Sequence, residues 1–361
     1  MLLILPQIYE MSLENRIKSF ATLGSFLTQF GLKHKHDELT LINNRFYDEM
    51  ENAISNSKQK NGWFTQDNCL LVLSAWGNAL QKEKLEKWTS KYTFSNQPKK
   101  RVGIIMAGNI PLVGLHDFIS VLISGHYAVV KTSKDDSLLI RKIAEILCFL
   151  NPEYTKQISF VDKLENIDAV IATGSNNSAQ HFEYYFGKYP NIIRRNRNSV
   201  AIITGGETKK ELELLGTDIF QYFGLGCRNV SKLYVPENYK FDAFFEAVYP
   251  FNNVINNNKY ANNYDYNRAV FLLGKHNLLD NNFLLLKEDT QIATPVAVLN
   301  FEYYFNTEKL LHQLESQNDE IQCVVSHLNN STHIKFGCSQ SPELWDYADN
   351  RDTLQFLLEL R

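Results

Sequence analysis

RVGIIMAGNIPLVGLHDFISVLISGHYAVVK, residues 101–131, decides the fold. Arg101-Val102-Gly103-Ile104-Ile105-Met106 is a short apolar run, as in a buried strand, and Ala107-Gly108-Asn109-Ile110-Pro111 breaks it. Leu112 to Ser124 has the length and apolar character of a packed helix. Gly125-His126 stops it, because glycine accepts the left-handed backbone that ends helices. Tyr127-Ala128-Val129-Val130-Lys131 is the next strand. Strand, crossover helix and strand together imply parallel pairing with a right-handed crossover.

The rhythm continues downstream. A helix is expected over Ser137 to Leu150, then strands at Ile158–Val161 and Asp168–Ala172. Thr173-Gly174-Ser175-Asn176-Asn177 opens a helix through Phe186. Arg194-Arg195-Asn196-Arg197-Asn198 reads as a solvated basic loop, which would otherwise suit coenzyme A phosphates. Ser199 to Thr204 reads as a strand ending in Gly205-Gly206. A second alternating region follows: a helix over Thr208–Tyr222, a strand at Leu233-Tyr234-Val235 and a helix over Phe241–Val248. Residues 252–263 read as a polar loop, and Arg268–Leu273, Asn282–Lys287 and Pro295–Leu299 as strands. Thr307–Leu314 reads as a helix and Cys323–Ser326 as the last inner strand.

Upstream, Leu13, Ile17, Phe20, Leu23 and Leu27 recur at helical spacing, as do Leu71, Val72, Trp76, Leu80 and Leu85. The pattern predicts an α/β protein with two doubly wound domains behind a helical N-terminal lead-in. The expected divisions are a helical region over 1–98 that packs on a nucleotide-binding domain over 99–206. A catalytic domain over 207–335 follows, with a C-terminal segment over 336–361 returning to the nucleotide domain or to an oligomer interface.

Composition narrows the function. A net charge of -3 over 361 residues gives no basic surface for nucleic acid or for a general membrane binder. The five cysteines are scattered, odd in number and without C-x-x-C spacing. That opposes a disulfide framework and a zinc site, and suits a reducing cytoplasm. The nine histidines include no H-x-x-x-H or H-E-x-x-H pair, so no metal is expected. Met1–Pro6 is apolar but too short and uncharged for a signal peptide. The chain has no apolar run of the roughly 18 residues a membrane helix needs. G-x-G-x-x-G, the usual dinucleotide fingerprint, is absent.

The candidate chemistry lies in Phe223-Gly224-Leu225-Gly226-Cys227-Arg228-Asn229-Val230-Ser231-Lys232. Glycines let backbone approach a ligand, and a neighbouring positive charge favours the nucleophilic thiolate. A lone cysteine in such a turn is otherwise a buried structural residue. His116, on the expected Leu112–Ser124 helix, reads as a packed helical residue before a proton donor.

The ordered set of motifs resembles the aldehyde dehydrogenase superfamily. More closely, it resembles the acyl-CoA reductase family typified by the fatty-acid reductase subunit of bacterial bioluminescence. Asn109-Ile110-Pro111 stands where the superfamily has W-N-x-P, and Val129-Val130-Lys131-Thr132-Ser133 where it has V-x-K-P-S. Thr173-Gly174-Ser175 matches its T-G-S turn, and Thr204-Gly205-Gly206 stands at its E-L-G-G. Gly226–Lys232 and Ser341-Pro342-Glu343-Leu344-Trp345-Asp346-Tyr347-Ala348-Asp349 match the reductase family itself. The resemblance covers residues 99–361.

It implies that Cys227 takes the acyl group as a thioester while Asn109 and the Cys227 backbone N–H hold the oxyanion. It also implies a cofactor set of Lys131, Ser133, Lys134, Gly174, Ser175, Gly205 and Gln291. Lys134 replaces the superfamily's acidic ribose partner, and a cation there suits a 2′-phosphate, so NADPH is expected over NADH. Without the resemblance, Lys131 and Lys134 are two solvated lysines at a strand end. Two positions depart from the superfamily. Ile203 falls on the E-L-G-G glutamate, the base that hydrolyses the thioester, so reduction is favoured over aldehyde oxidation. Gln291-Ile292-Ala293-Thr294-Pro295 replaces E-x-F-G-P and removes a charge.

The implied partners are an acyl-CoA substrate, an acyl-activating or acyl-carrier protein as donor, and further copies of the chain in a dimer or tetramer. The rival expectations are a cysteine acyltransferase and a non-catalytic acyl-handling subunit, each with a vestigial nucleotide site.

Overall fold

The computed structural model of the chain describes residues 11–32, 34–95 and 97–360. The expectation on Met1–Pro6 therefore lies outside the described residues. The chain forms two units. The first contains the described residues up to Asn56, Cys69–Arg194, and the described residues from Arg351 onward. The second contains Ser57–Asn68 and Arg195–Asn350.

The chain opens with helices α1 (Leu13–Leu32), α2 (Thr40–Lys60), α3 (Gln66–Ala79) and α4 (Lys82–Thr89). Ile17, Phe20, Leu23, Phe26 and Leu27 form the buried stripe of α1. Glycine lets α1 and α3 meet backbone to backbone: a Cβ on Gly77 would lie 2.3 Å from Thr28 Oγ1.

Then come β1 (Arg101–Ile105), α5 (Leu115–Ile123), β2 (Tyr127–Lys131), α6 (Leu138–Leu150), α7 (Tyr154–Gln157), β3 (Ile158–Phe160), β4 (Ala169–Thr173), α8 (Asn176–Phe186) and β5 (Asn191–Arg194). The sheet order is β3-β2-β1-β4-β5, and every neighbouring pair is parallel. The apolar runs Ala128–Val130 and Ala169–Ala172 are buried, as parallel strands require. The chain starts in the middle, winds to one edge, returns and winds to the other. The direction of winding therefore reverses between β1 and β4.

β5 corrects the expected solvated basic loop. Arg194 is 5% exposed, and its guanidinium donates to Asp117 Oδ2 on α5 at 2.6 Å and to Thr353 Oγ1 at 2.9 Å. A basic run does not reveal which of its members turns inward to a carboxylate.

The second unit carries β6 (Asn198–Ile202), α9 (Lys209–Phe220), β7 (Val230–Pro236), α10 (Asp242–Val248), α11 (Asn258–Leu273), β8 (Leu278–Asp280), β9 (Leu285–Glu288), β10 (Val298–Tyr304), α12 (Thr307–Ser316) and β11 (Ile321–Val325). Its order is β11-β6-β7-β10-β9-β8, with only β8 antiparallel to its neighbour. Alternate residues of β6 face two apolar clusters, Ala201 with Leu212 and Leu233, and Val200 with Tyr234 and Leu310.

The structure differs from expectation at several places here. β6 joins the second sheet, whereas the expected division put it in the nucleotide domain; alternation along the chain does not say which sheet a strand enters. Arg268–Leu273 belongs to α11, not to a strand. Asn257 starts that helix by accepting from Lys259 N and Tyr260 N, so the Asn-rich tract holds a helix cap where a loop was expected. β10 begins three residues after Pro295, past the left-handed Ala297. β11 is an edge strand, not an inner one.

The chain ends with α13 (Thr353–Leu358), which packs on α5 in the first unit. His126 pins it. His126 Nδ1 accepts from Lys100 N at 3.1 Å, so Nε2 carries the proton and donates to Leu357 O at 2.9 Å. Burial holds this imidazole below the ordinary histidine range. Among the described residues no helix is long and apolar enough to cross a membrane.

Candidate active site

In the first unit, six candidate residues gather at the carboxyl edge of the sheet. Asn109 follows β1, Lys131 ends β2 with Ser133 and Lys134 just beyond, and Gly174-Ser175 follows β4. β1 and β4 flank the point where strand order reverses, which is where open parallel sheets take ligands. The β1 and β2 loops touch: a Cβ on Gly108 would lie 2.4 Å from Ser133 Oγ, so only glycine fits. A Cβ on Gly174 would lie 2.8 Å from the Ser178 side chain. Ser175 caps α8, its hydroxyl accepting from Ser178 N at 3.2 Å. The remaining amides of that helix end form an electropositive terminus. Asn109, Lys131, Lys134 and Ser175 are exposed.

Asp136 braces this edge from below, a role that nothing in its sequence context signals. Its carboxylate is 6% exposed and accepts from Leu112 N at 2.8 Å. Leu112 is left-handed, with φ 57°, so the loop after Asn109 needs a hold. Burial pushes the Asp136 carboxyl up to about 7, and the single amide bond lowers it less. His116 on α5 packs beside Trp88 and Trp76, at ring distances of 5.7 and 6.4 Å.

Cys227 lies in the second unit and is exposed. Three consecutive left-handed residues turn the chain toward it: Tyr222 (φ 54°), Phe223 (φ 59°) and Gly224 (φ 73°). For the two aromatic residues this conformation costs about 1–2 kcal/mol each. Phe223 is held there by Trp63 and Tyr260, at ring distances of 5.4 and 6.1 Å.

The turn is fastened from several sides. Ser199 Oγ on β6 donates to Cys227 O at 2.9 Å. Arg228 Nε donates to Ser339 O at 2.6 Å. The loop carrying Ser339 is held in turn by Asp218 on α9, whose carboxylate accepts from Gly337 N and Ser339 N at 2.6 and 2.9 Å. Asp218 is fully buried; burial raises its pKa, while the two amides and Arg228 pull it back. Its sequence signal was a carboxylate on the buried face of α9, beside Leu215 and Ile219.

Two further candidates lie in the second unit. Gly205 lies just past the carboxyl end of β6. Its N–H, with the N–H and hydroxyl of Thr204, is taken by the Glu207 carboxylate. Cys227 stands three residues before β7, where Ser199 near the start of β6 touches its carbonyl, whereas Gly205 lies past the end of β6 at Ile202. Cys227 therefore sits at the amino edge of the second sheet and Gly205 at the opposite edge. Gln291 is exposed, and its backbone is tied in: Asn300 Nδ2 donates to Gln291 O, and Ser231 Oγ to Ile292 O. Among the described residues no three His, Cys, Asp or Glu side chains converge as a metal site.

Residues 11–246 match the family model described as Acyl-CoA reductase (LuxC). No curated protein is a significant match to the chain. Among solved structures, aldehyde dehydrogenase 21 from Physcomitrella patens, in complex with succinate, superposes with a TM-score of 0.65 at 14% identity, covering 89% of this chain and 74% of that one. An oxidoreductase from Marinobacter aquaeolei gives 0.65 at 12%, covering 93% and 80%. An aldehyde dehydrogenase from Bacillus cereus in its NAD+ complex gives 0.60 at 14%, covering 89% and 73%. The fold is thus aldehyde-dehydrogenase-like, with parallel α/β sheets and N-terminal helices.

Proposed function

The chain belongs to the acyl-CoA reductase (LuxC) family, and from that premise we propose that it reduces an acyl-CoA thioester to the aldehyde through an acyl-Cys227 intermediate, with NADPH as reductant. The observation that carries this is the Cys227 turn: of the two exposed cysteines, Cys227 and Cys338, the first is reached through strained backbone and fastened at its own carbonyl and at Arg228. A cysteine that served only packing would be buried.

Cys227 Sγ attacks the acyl carbonyl carbon. The new C–S bond forms, the bond to coenzyme A breaks, and coenzyme A leaves as its thiolate. The Cys227 N–H is assigned as an oxyanion donor, a donor of that kind contributing about 3–4 kcal/mol to the transition state, and Asn109 keeps the donor role that the family resemblance implies. When hydride reaches the acyl carbon, the Cys227 thiolate departs and the aldehyde is released.

A nicotinamide cofactor fits the carboxyl edge of the first sheet. Gly108 leaves no room for a side chain at the reversal point, the α8 amides face that edge, and two exposed lysines flank it. Bound there, it supplies the hydride. Lys134 favours the 2′-phosphate of NADPH by charge. The NAD+ complexes among the structural neighbours support a nicotinamide cofactor. Gly205 is left out of the cofactor set because its N–H is already bound to Glu207.

The test is oxidation of NADPH by purified protein across an acyl-CoA chain-length series, with Cys227→Ser beside it. Acyl-dependent oxidation with aldehyde formed in equal amount, abolished in Cys227→Ser, is expected. Acyl release into water or onto another thiol without NADPH oxidation would overturn the reductase proposal in favour of acyl transfer.

A further inference from the structure

Asn229 has no role in the chemistry above, yet it is the most densely bonded side chain beside the nucleophile. It is 2% exposed. Its Nδ2 donates to the carbonyls of Asp218, Ile219 and Gln221, at 3.0, 3.4 and 2.9 Å. Its Oδ1 accepts from Gly226 N at 2.8 Å. The three carbonyls belong to the end of α9, where a helix has acceptors without internal partners. One amide thus closes the helix end and grips the residue immediately before Cys227.

We infer that Asn229 is the positioning residue for the Cys227 nucleophile, fixing the turn relative to α9. This rests on the reductase proposal for what Cys227 does. The chain between α9 and Cys227 passes through the left-handed Tyr222, Phe223 and Gly224, a short 3-10 segment that departs from the helix geometry of α9. Asn229 spans that path from both ends. A helix cap alone would need only the carbonyl bonds; the bond from Gly226 is what couples the cap to the thiol. The far side of the turn is attached separately, by Ser199 to Cys227 O and by Arg228 to Ser339 O. Loss of Asn229 therefore frees the approach to Cys227 while leaving the turn anchored.

Only an amide serves here. Aspartate has the same shape, but its carboxylate would face three carbonyl oxygens with no proton to donate. Asn229→Asp should regain a donor, and hence function, only as it is protonated at lower pH.

The experiment compares wild type, Asn229→Asp and Asn229→Ser by two readouts on folded full-length protein. The first is the rate of Cys227 carbamidomethylation by iodoacetamide, which requires no acyl-CoA turnover. The second is kcat and KM for whichever acyl-CoA the wild type reduces, per titrated thiol. Asn229→Asp is expected to slow alkylation about tenfold and to lower kcat about 10²-fold, the scale of a nucleophile misplaced by about 1 Å. KM should stay within about threefold, since the substrate contacts are untouched. Relative to wild type at each pH, both losses should shrink as pH falls from about 8 to about 6. Asn229→Ser, which has no titrating group, should show a loss that does not shrink. Should Asn229→Asp fail to fold, the Asn229→Ser losses in alkylation and kcat decide. Alkylation unchanged in the folded variants would overturn the assignment. So would a kcat loss that vanishes per titrated thiol, since that is what a merely structural role predicts. If the wild type reduces no acyl-CoA, the reductase proposal falls, and the alkylation ratio still decides whether Asn229 positions the thiol.

Discussion

Each unit braces its candidate loop with a buried aspartate, and the two do so differently. Asp136 accepts one backbone amide, from Leu112, and burial takes its carboxyl up to about 7. Asp218 accepts two, from Gly337 and Ser339, and faces Arg228. Its carboxyl is also raised by burial, but three favourable partners oppose the rise. Desolvation is similar in kind at both sites, so the number of donors decides how much charge each can hold. The loop that carries the nucleophile is braced by the better-satisfied carboxylate. The first-unit edge, which takes the cofactor in the proposed function, rests on one that titrates near neutrality.

Stability should separate the two aspartates most strongly. A carboxyl raised in the folded state is protonated there at a pH where the unfolded chain has released its proton. Its stabilising contribution is complete below about pH 4 and is lost as pH rises through about 7. Asp136→Asn removes the titrating group while keeping the shape of the side chain. The stability of that variant relative to wild type should therefore rise between about pH 4 and about pH 8, by on the order of 4 kcal/mol for about three pKa units. Asp218→Asn should show the same sign and a smaller swing. Urea unfolding at several pH values measures both; equal swings would refute the donor-count explanation.

Next in size is Asn109→Ala. If Asn109 donates to the oxyanion, kcat should fall about 10²-fold or more with the cofactor KM unchanged, read by NADPH oxidation. A change in cofactor KM alone would move Asn109 into the cofactor set. The smallest expected effect is Lys134→Glu. Replacing the cation by an anion should shift the NADPH to NADH ratio of kcat/KM by about tenfold or more toward NADH, one charge-assisted hydrogen bond's worth. An unchanged ratio would mark Lys134 as a solvated surface lysine.

Most of the first sheet was legible because its strands are buried on both faces and read as unbroken apolar runs bounded by Gly and Pro, as at Val102–Met106 and Tyr127–Lys131. The second sheet was less so. Arg268–Leu273 is apolar enough for a strand, but the helix it completes is packed through Tyr260, Tyr264 and Asn267, residues that read as polar. β5 was hidden by Arg194, whose charge disguises a buried strand end. Gly205-Gly206 misled for a different reason: a pair of glycines after a strand has the same appearance in either sheet. The turn at Cys227 was visible from its glycines and cysteine. Its supports were less so, because Ser199 and Ser339 lie far from Cys227 along the chain, on either side of it, and Asp218 reaches the turn only through the loop of Ser339.

The central claim is that Cys227 carries the acyl group. Intact mass of the full-length protein, incubated with a panel of acyl-CoAs in the absence of nicotinamide, tests it most directly. One acyl adduct per chain that maps to Cys227 and disappears on adding NADPH, with aldehyde released, is the predicted result. An adduct on another residue, or none with any acyl-CoA, acyl-adenylate or acyl-carrier protein, would contradict it.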